Sequence, residues 1–139
     1  MEPSVCSDPQ RRRLLVAFDA VLNVHQLPEV RHAVADRVGA VHPGLSFECQ
    51  LALQELCVAA LERFGICAGL RVYDCGAAVR VEVDEPRPGM AGSPDSALGI
   101  VEALAQHCGV EGDGVGVRVG VDPRAGVSTA WCELDAAAH

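Results

Sequence analysis

At 139 residues, half of them hydrophobic, with a mean hydropathy of +0.21, the chain has the size and composition of one folded domain and not of a disordered polymer. A formal net charge of −8 and a pI near 5.0 argue against a general nucleic-acid binder. Charges interrupt the apolar runs well short of the ~18 residues that a membrane-crossing helix needs, so no membrane association is expected.

The first ten residues read as a flexible lead-in, residues 11–135 as the folded domain and 136–139 as a tail. Met1 to Arg13 lacks the order of a secretory signal, because its arginines follow no apolar core. Arg11, Arg12 and Arg13 form a solvated entrance to a first strand, Leu14 to Phe18. Leu27-Pro28-Glu29-Val30 opens a helix, with Pro28 suited to the first turn and Glu29 favoured near the positive end of the helix dipole. Its stripe is Val30, Val34, Val38 and Val41, and Pro43-Gly44 ends it.

Ser46 is the expected N-cap of a second helix running from about Phe47 to Phe64, with Glu48 in its first turn. Leu53, Leu56, Cys57, Ala60, Leu61 and Phe64 recur at helical spacing, and Gly65 is placed as the C-cap. Glu55 precedes the densest part of this apolar run. A carboxylate there must be paired, coordinate a ligand or stand at a cleft edge, since burying it unpaired is costly. The plainer alternative puts it at the stripe boundary, reaching solvent or an arginine.

Leu70 to Tyr73 and Ala78 to Asp84 form a hairpin around the turn Asp74-Cys75-Gly76. In the second strand Val79, Val81 and Val83 alternate with Arg80, Glu82 and Asp84, the period of a half-buried strand. Glu85 to Pro94 is a breaker-rich loop. Leu98, Val101, Leu104, Ala105 and Cys108 mark a third helix ended by Gly109. Val115, Val117, Val119 and Val121 alternate in another strand, residues 122–126 turn, and Val127 to Leu134 is the last strand. The order predicts an α+β two-layer sandwich: a mostly antiparallel mixed sheet covered on one face by three helices, with a ligand cleft where the loop after Asp84 can close.

Seven cysteines, an odd number without CxxC spacing, suggest neither a disulfide framework nor a zinc site, which points to the cytosol. Several fall on apolar stripes as small hydrophobes. The five histidines form no HxxxH pair, and His107-Cys108 alone is a weak ligand pair, so no metal site is expected.

Four segments together resemble the GHKL superfamily of histidine-kinase-like ATPases (the Bergerat-type fold), and within it the short anti-sigma-factor serine kinases of bacteria. ELCVAALERFG is similar to the family's ELVxNAxxHG helix, and VEVDEPRPG to the V-x-V-x-D-x-x-P-R-P strand end of compact actinobacterial members. SALGIVEALAQHCG resembles G-x-G-L-x-L-V-x-x-L-A-x-x-x-G, and STAWCEL resembles the closing G-T-x-V-W-x-E-L. Their order and spacing agree from roughly Arg12 to Leu134.

The resemblance implies roles for several residues. Glu55 corresponds to the glutamate that positions the attacking hydroxyl. Asp84 is taken as the adenine-contacting carboxylate, with Thr129 nearby and Leu98 and Gly99 at the nucleotide-facing helix start. Two departures weaken the phosphate end. Ala59 stands where the family has its Mg²⁺-ligating asparagine, and a methyl ligates no cation. Asp95-Ser96-Ala97 replaces G-x-G, putting a side chain and a negative charge where backbone N–H groups should cradle phosphate. The implied cofactor is therefore none or weakly bound ATP, with Mg²⁺ only alongside ATP. The expected function is a degenerate, kinase-inactive anti-sigma-type regulator. It would act by partner switching between a sigma factor and a STAS-domain anti-anti-sigma protein, dimerising through about Leu14 to Val41. The alternative is an active ATP-dependent serine kinase that phosphorylates the STAS-domain protein, with Glu55 as base. A stand-alone fold of unrelated function is the third possibility.

Overall fold

The computed structural model describes residues 6, 8–86, 117–124 and 127–136. The expected third helix, Leu98 to Cys108, and the loop beyond Pro86 lie outside them. Five strands form one sheet in the order β1-β2-β3-β5-β4: β1 Arg13–Phe18, β2 Gly69–Asp74, β3 Ala78–Glu85, β4 Val117–Arg124 and β5 Val127–Asp135. Among the described residues every pairing is antiparallel, where the sequence predicts a mostly antiparallel mixed sheet. With two long helices, α1 Leu27–Val41 and α2 Ser46–Phe64, the architecture among the described residues is α+β. The last hairpin differs from expectation. β4 continues through Pro123 and Arg124, paired with Ser128 and Val127, so the connection is shorter than the five-residue turn read from the sequence. A proline is tolerated there because β4 is an edge strand.

α1 begins as its sequence dictates, with Pro28 in the first turn and Leu27, Val30, Val34 and Val38 buried. α2 starts differently. Leu45 is its N-cap and supplies no side-chain hydrogen bond, while Ser46 is already helical. The 3-10 turn Pro43–Leu45 delivers the chain to α2 in a near-helical conformation. The Ser46 hydroxyl is thus left to donate to the Ala35 carbonyl at 3.2 Å, tying α2 to α1. At the other end Gly65, at φ 74°, donates its N–H to the Leu61 carbonyl, a left-handed cap that a side chain would strain.

The period of two sorts the sheet into two faces. Leu70, Val72, Val79, Val81, Val83, Ala130, Cys132 and Leu134 share one core with the buried stripes of α1 and α2, the latter being Cys49, Ala52, Leu53, Leu56, Cys57 and Ala60. The opposite face carries Arg71, Arg80, Glu82, Asp84, Arg118, Trp131 and Glu133. Half of such an alternating strand is normally solvated, yet Arg80 is 1% exposed and Glu82 and Glu133 are 0% exposed. These charges are ionically paired in compensation. Arg80 donates to Glu82 and Glu133, each at 2.8 Å, and Arg118 donates to Glu133 at 3.3 Å. The Arg80 guanidinium also lies 4.4 Å from the centre of the Trp131 ring, a cation–π contact.

Among the described residues one disulfide forms, where the cysteine pattern gave no expectation of any. Cys6, ahead of β1, is joined to Cys75 in the β2–β3 turn, with Cα atoms 5.6 Å apart. Cys49, Cys57, Cys67 and Cys132 are free and buried, as their positions on apolar stripes suggest. Among the described residues no helix is long and apolar enough to cross a membrane.

Candidate functional site

Asp84 and Thr129, assigned to the adenine end on resemblance, are brought together. They are direct cross-strand partners between β3 and β5, and the Thr129 hydroxyl donates to Asp84 Oδ1 at 2.7 Å. A third residue completes the arrangement. Arg71, on β2, forks onto the same carboxylate, Nη1 to Oδ2 and Nη2 to Oδ1, both at 2.7 Å. Its Nε reaches Glu82 at 3.0 Å. Gly69, the register partner of Asp84, leaves room for this, since a Cβ there would come within 3.1 Å of Asp84 Oδ2. The hydrogen bonds to Asp84 hold the Arg71 guanidinium charged well above the ordinary arginine range, against the opposing effect of burial. Sequence reasoning read Arg71 only as a strand residue. Its place two strands from Thr129 but directly beside Glu82 follows from the β2–β3 register.

Glu55 does not join this group. It lies on α2, half-buried and outside the buried stripe, and it makes no hydrogen bond or ion pair among the described residues. The more buried carboxylate of α2 is Glu48 in the first turn. Ala59 is half-buried one turn beyond Glu55. Leu98 and Gly99 lie outside the described residues. Strand alternation separates the two expected halves further. Asp84 shares the face of Glu82, through their common partner Arg71, whereas α2 packs on the face of Val79, Val81 and Val83.

Near the end of β3, the carboxylate on the α2-facing side is Glu85; Asp74, partner of Val79, shares that face at the far end of β2. Glu85 follows Val79, Val81 and Val83 in the period-two series, is 5% exposed, and stands 3.8 Å from Arg63 in the last turn of α2. Burial pushes its carboxyl above the ordinary value, and Arg63 offsets only part of that. Two signals in the sequence point to it. The alternation places odd-numbered residues inward, and V-x-V-x-D laid on Val81-Glu82-Val83 has its fifth position at Glu85. A slip of one residue in a strand exchanges the faces completely. Ser128, buried, is its cross-strand partner.

Two further clusters bracket these residues. Cys57 of α2 and Cys67, just before β2, share a hydrogen bond that lowers the Cys67 thiol below its ordinary value and raises that of Cys57. At the far end of β2, Asp74 accepts from the Gly76 N–H at 2.9 Å and lies 3.0 Å from His42 Nε2. Burial alone would raise the Asp74 carboxyl, but Gly76, His42 and Arg13 together hold it below the ordinary range. Among the described residues no group of three or more His, Cys, Asp and Glu side chains is arranged to hold a metal ion. No protein-family model, curated protein or solved structure matches the chain.

Proposed function

We propose that the chain is a regulatory binding domain of the anti-sigma type, which works by exchanging protein partners and not by phosphorylating them. The observation that supports this reading, for the site as the resemblance assigns it, is the state of Asp84. Both of its oxygens accept charge-assisted bonds from Arg71, and Oδ1 accepts from Thr129 as well. Such ionic bonds are about twice as strong as those between neutral groups, so an adenine amino group is a poor competitor for this carboxylate. Ala59 offers no oxygen to Mg²⁺, and Glu55 lies apart from Asp84 on an element packed against the other sheet face. These features weigh against Mg-ATP held in the way the resemblance implies.

Partner switching makes no demand on those groups. It needs two ligands with overlapping surfaces and different affinities, so that one displaces the other by mass action. The two-helix, five-strand architecture of the described residues is compatible with the histidine-kinase-like fold. The test is capture of binding proteins from extract of the source cell, followed by competition between purified partners. A sigma factor should be retained and then released by a STAS-domain protein. Recovery of neither class, or simultaneous binding of both, counts against the proposal.

One observation favours the kinase reading instead. Glu85 sits on the α2 side of β3, at the fifth position of the V-x-V-x-D pattern, with its proton affinity raised by burial. If Glu85 replaces Asp84 as the base-contacting acid, nucleotide binding should be weakened by Glu85→Gln and left unchanged by Asp84→Asn.

A further inference from the structure

We infer that the Cys6–Cys75 disulfide is a thiol-responsive clasp that holds the segment preceding β1 against the charged outer face of the sheet. The bond joins residues 69 apart in sequence, and Cys6 is only 2% exposed although its neighbours Asp8, Gln10 and Arg11 are exposed. From this anchor the segment reaches the two most deeply buried carboxylates of the outer face. The Cys6 N–H donates to Glu133 Oε2 at 3.3 Å. Arg12 donates from Nε to the Cys6 carbonyl, places Nη1 3.6 Å from Glu82 Oε2, and stacks 5.5 Å from the centre of the Tyr73 ring. Glu82 and Glu133 are the same carboxylates that pair with Arg80.

Apart from the disulfide, residues 6 and 8–12 reach the sheet through the Cys6 N–H on Glu133 and through Arg12, which meets Glu82 and the Tyr73 ring. The segment's 3-10 turn Pro9–Arg11 is too short to persist alone. The covalent link is therefore what keeps its effective concentration at the sheet high. Cys75 is the accessible sulfur, half-buried in a tight turn beside exposed Gly76 and Ala77.

A dithiol reductant opens the clasp. Its thiolate attacks one sulfur, the S–S bond breaks, and a mixed disulfide forms. The reductant's second thiol then closes on the first, leaving the reductant oxidised as a cyclic disulfide. Two electrons and two protons pass to the protein, and Cys6 and Cys75 become free thiols. The segment departs with its N–H and exposes Glu133 and the Glu82 side of the Arg80 cluster. Redox state thus sets whether the outer face of the sheet is covered.

Hydrogen-exchange mass spectrometry on the full chain, with and without dithiothreitol, tests the clasp. The unreduced protein should yield a Cys6–Cys75-linked peptide after digestion under acid quench. On reduction, the amides from residue 8 to residue 12 should exchange about tenfold faster or more, while those of α2 and β3 keep their protection. Cys75→Ser should reproduce the reduced pattern with or without reductant. Three results overturn the inference: free thiols at both positions before reduction, a segment equally protected after reduction, or loss of protection throughout α2 and β3. The last would make the bond a structural staple and not a clasp.

Discussion

The two faces of the sheet bury themselves by different means. On the α2 side Leu70, Val72, Val79, Val81 and Val83 are completely buried among leucine, alanine and cysteine. On the other side Arg80, Glu82 and Glu133 are just as buried but are charged. Apolar packing is forgiving, because hydrophobes of similar volume substitute for one another with modest loss. A buried ionic cluster is not, since removing one member leaves its partners desolvated and less fully paired. The apolar face therefore holds the fold together, while the ionic face fixes which arrangement of strands and loop segments is allowed.

The sharpest way to break this contrast is Arg80→Ala. It removes the cation that Glu82 and Glu133 share, leaving Glu82 with Arg71 and Arg12 and Glu133 with Arg118, and should cost about 3 kcal/mol in urea unfolding. On the opposite face Leu70→Ala should cost about 2–5 kcal/mol from lost transfer and the cavity left behind. A loss below about 1 kcal/mol for Arg80→Ala, as for solvent-exposed pairs, would remove the distinction between the faces.

Gly120→Ala probes the outer face sterically. A Cβ there would lie 2.5 Å from the Trp131 ring, which rests on the glycine and under the Arg80 guanidinium. The ring has nowhere to retreat without disturbing Arg80, so overpacking should cost about 1–3 kcal/mol. A thermal midpoint equal to that of the unaltered protein would show that Trp131 moves freely.

The smallest effect is expected on the α2 side, at Glu85. Glu85 holds its proton more tightly in the folded protein than in the unfolded chain. Its ionisation therefore subtracts stability as pH rises through its folded value. Glu85→Gln cannot ionise, so it should raise the thermal midpoint at pH 7 to 8. The gain should vanish below the ordinary glutamate value of about 4.3. Destabilisation at neutral pH instead would mean that the contact with Arg63 outweighs burial.

Much of this was legible in the sequence because it is local. Pro28 and Gly65 mark helix ends through backbone chemistry that needs no tertiary partner. Valine alternation in β3 identified the strand and its inward face. The same alternation concealed the outer face, since Arg80 and Glu82 at every second position look like solvated residues whether or not anything covers them. Partnerships across long separations were equally hidden. Nothing near Cys6 indicates Cys75, and nothing near Asp84 indicates Arg71, until the register of β2 on β3 is known. Ser46 looks like an N-cap, but the 3-10 turn ahead of it shifts the helix start by one residue. For the candidate site, the sequence placed Asp84 and Thr129 together but left the side of the sheet they face unread. Glu85 was passed over because it stood at the boundary between strand and loop.

The central claim is that the domain acts without a functional nucleotide site, and the thermal midpoint with and without saturating Mg-ATP tests it most directly. A ligand present at about 100 times its Kd adds roughly 2.7 kcal/mol, which amounts to several degrees for a domain of this size. With Asp84 held by Arg71 and Thr129, and Ala59 in place of a magnesium ligand, the midpoint should be unchanged. A rise of several degrees would contradict the account.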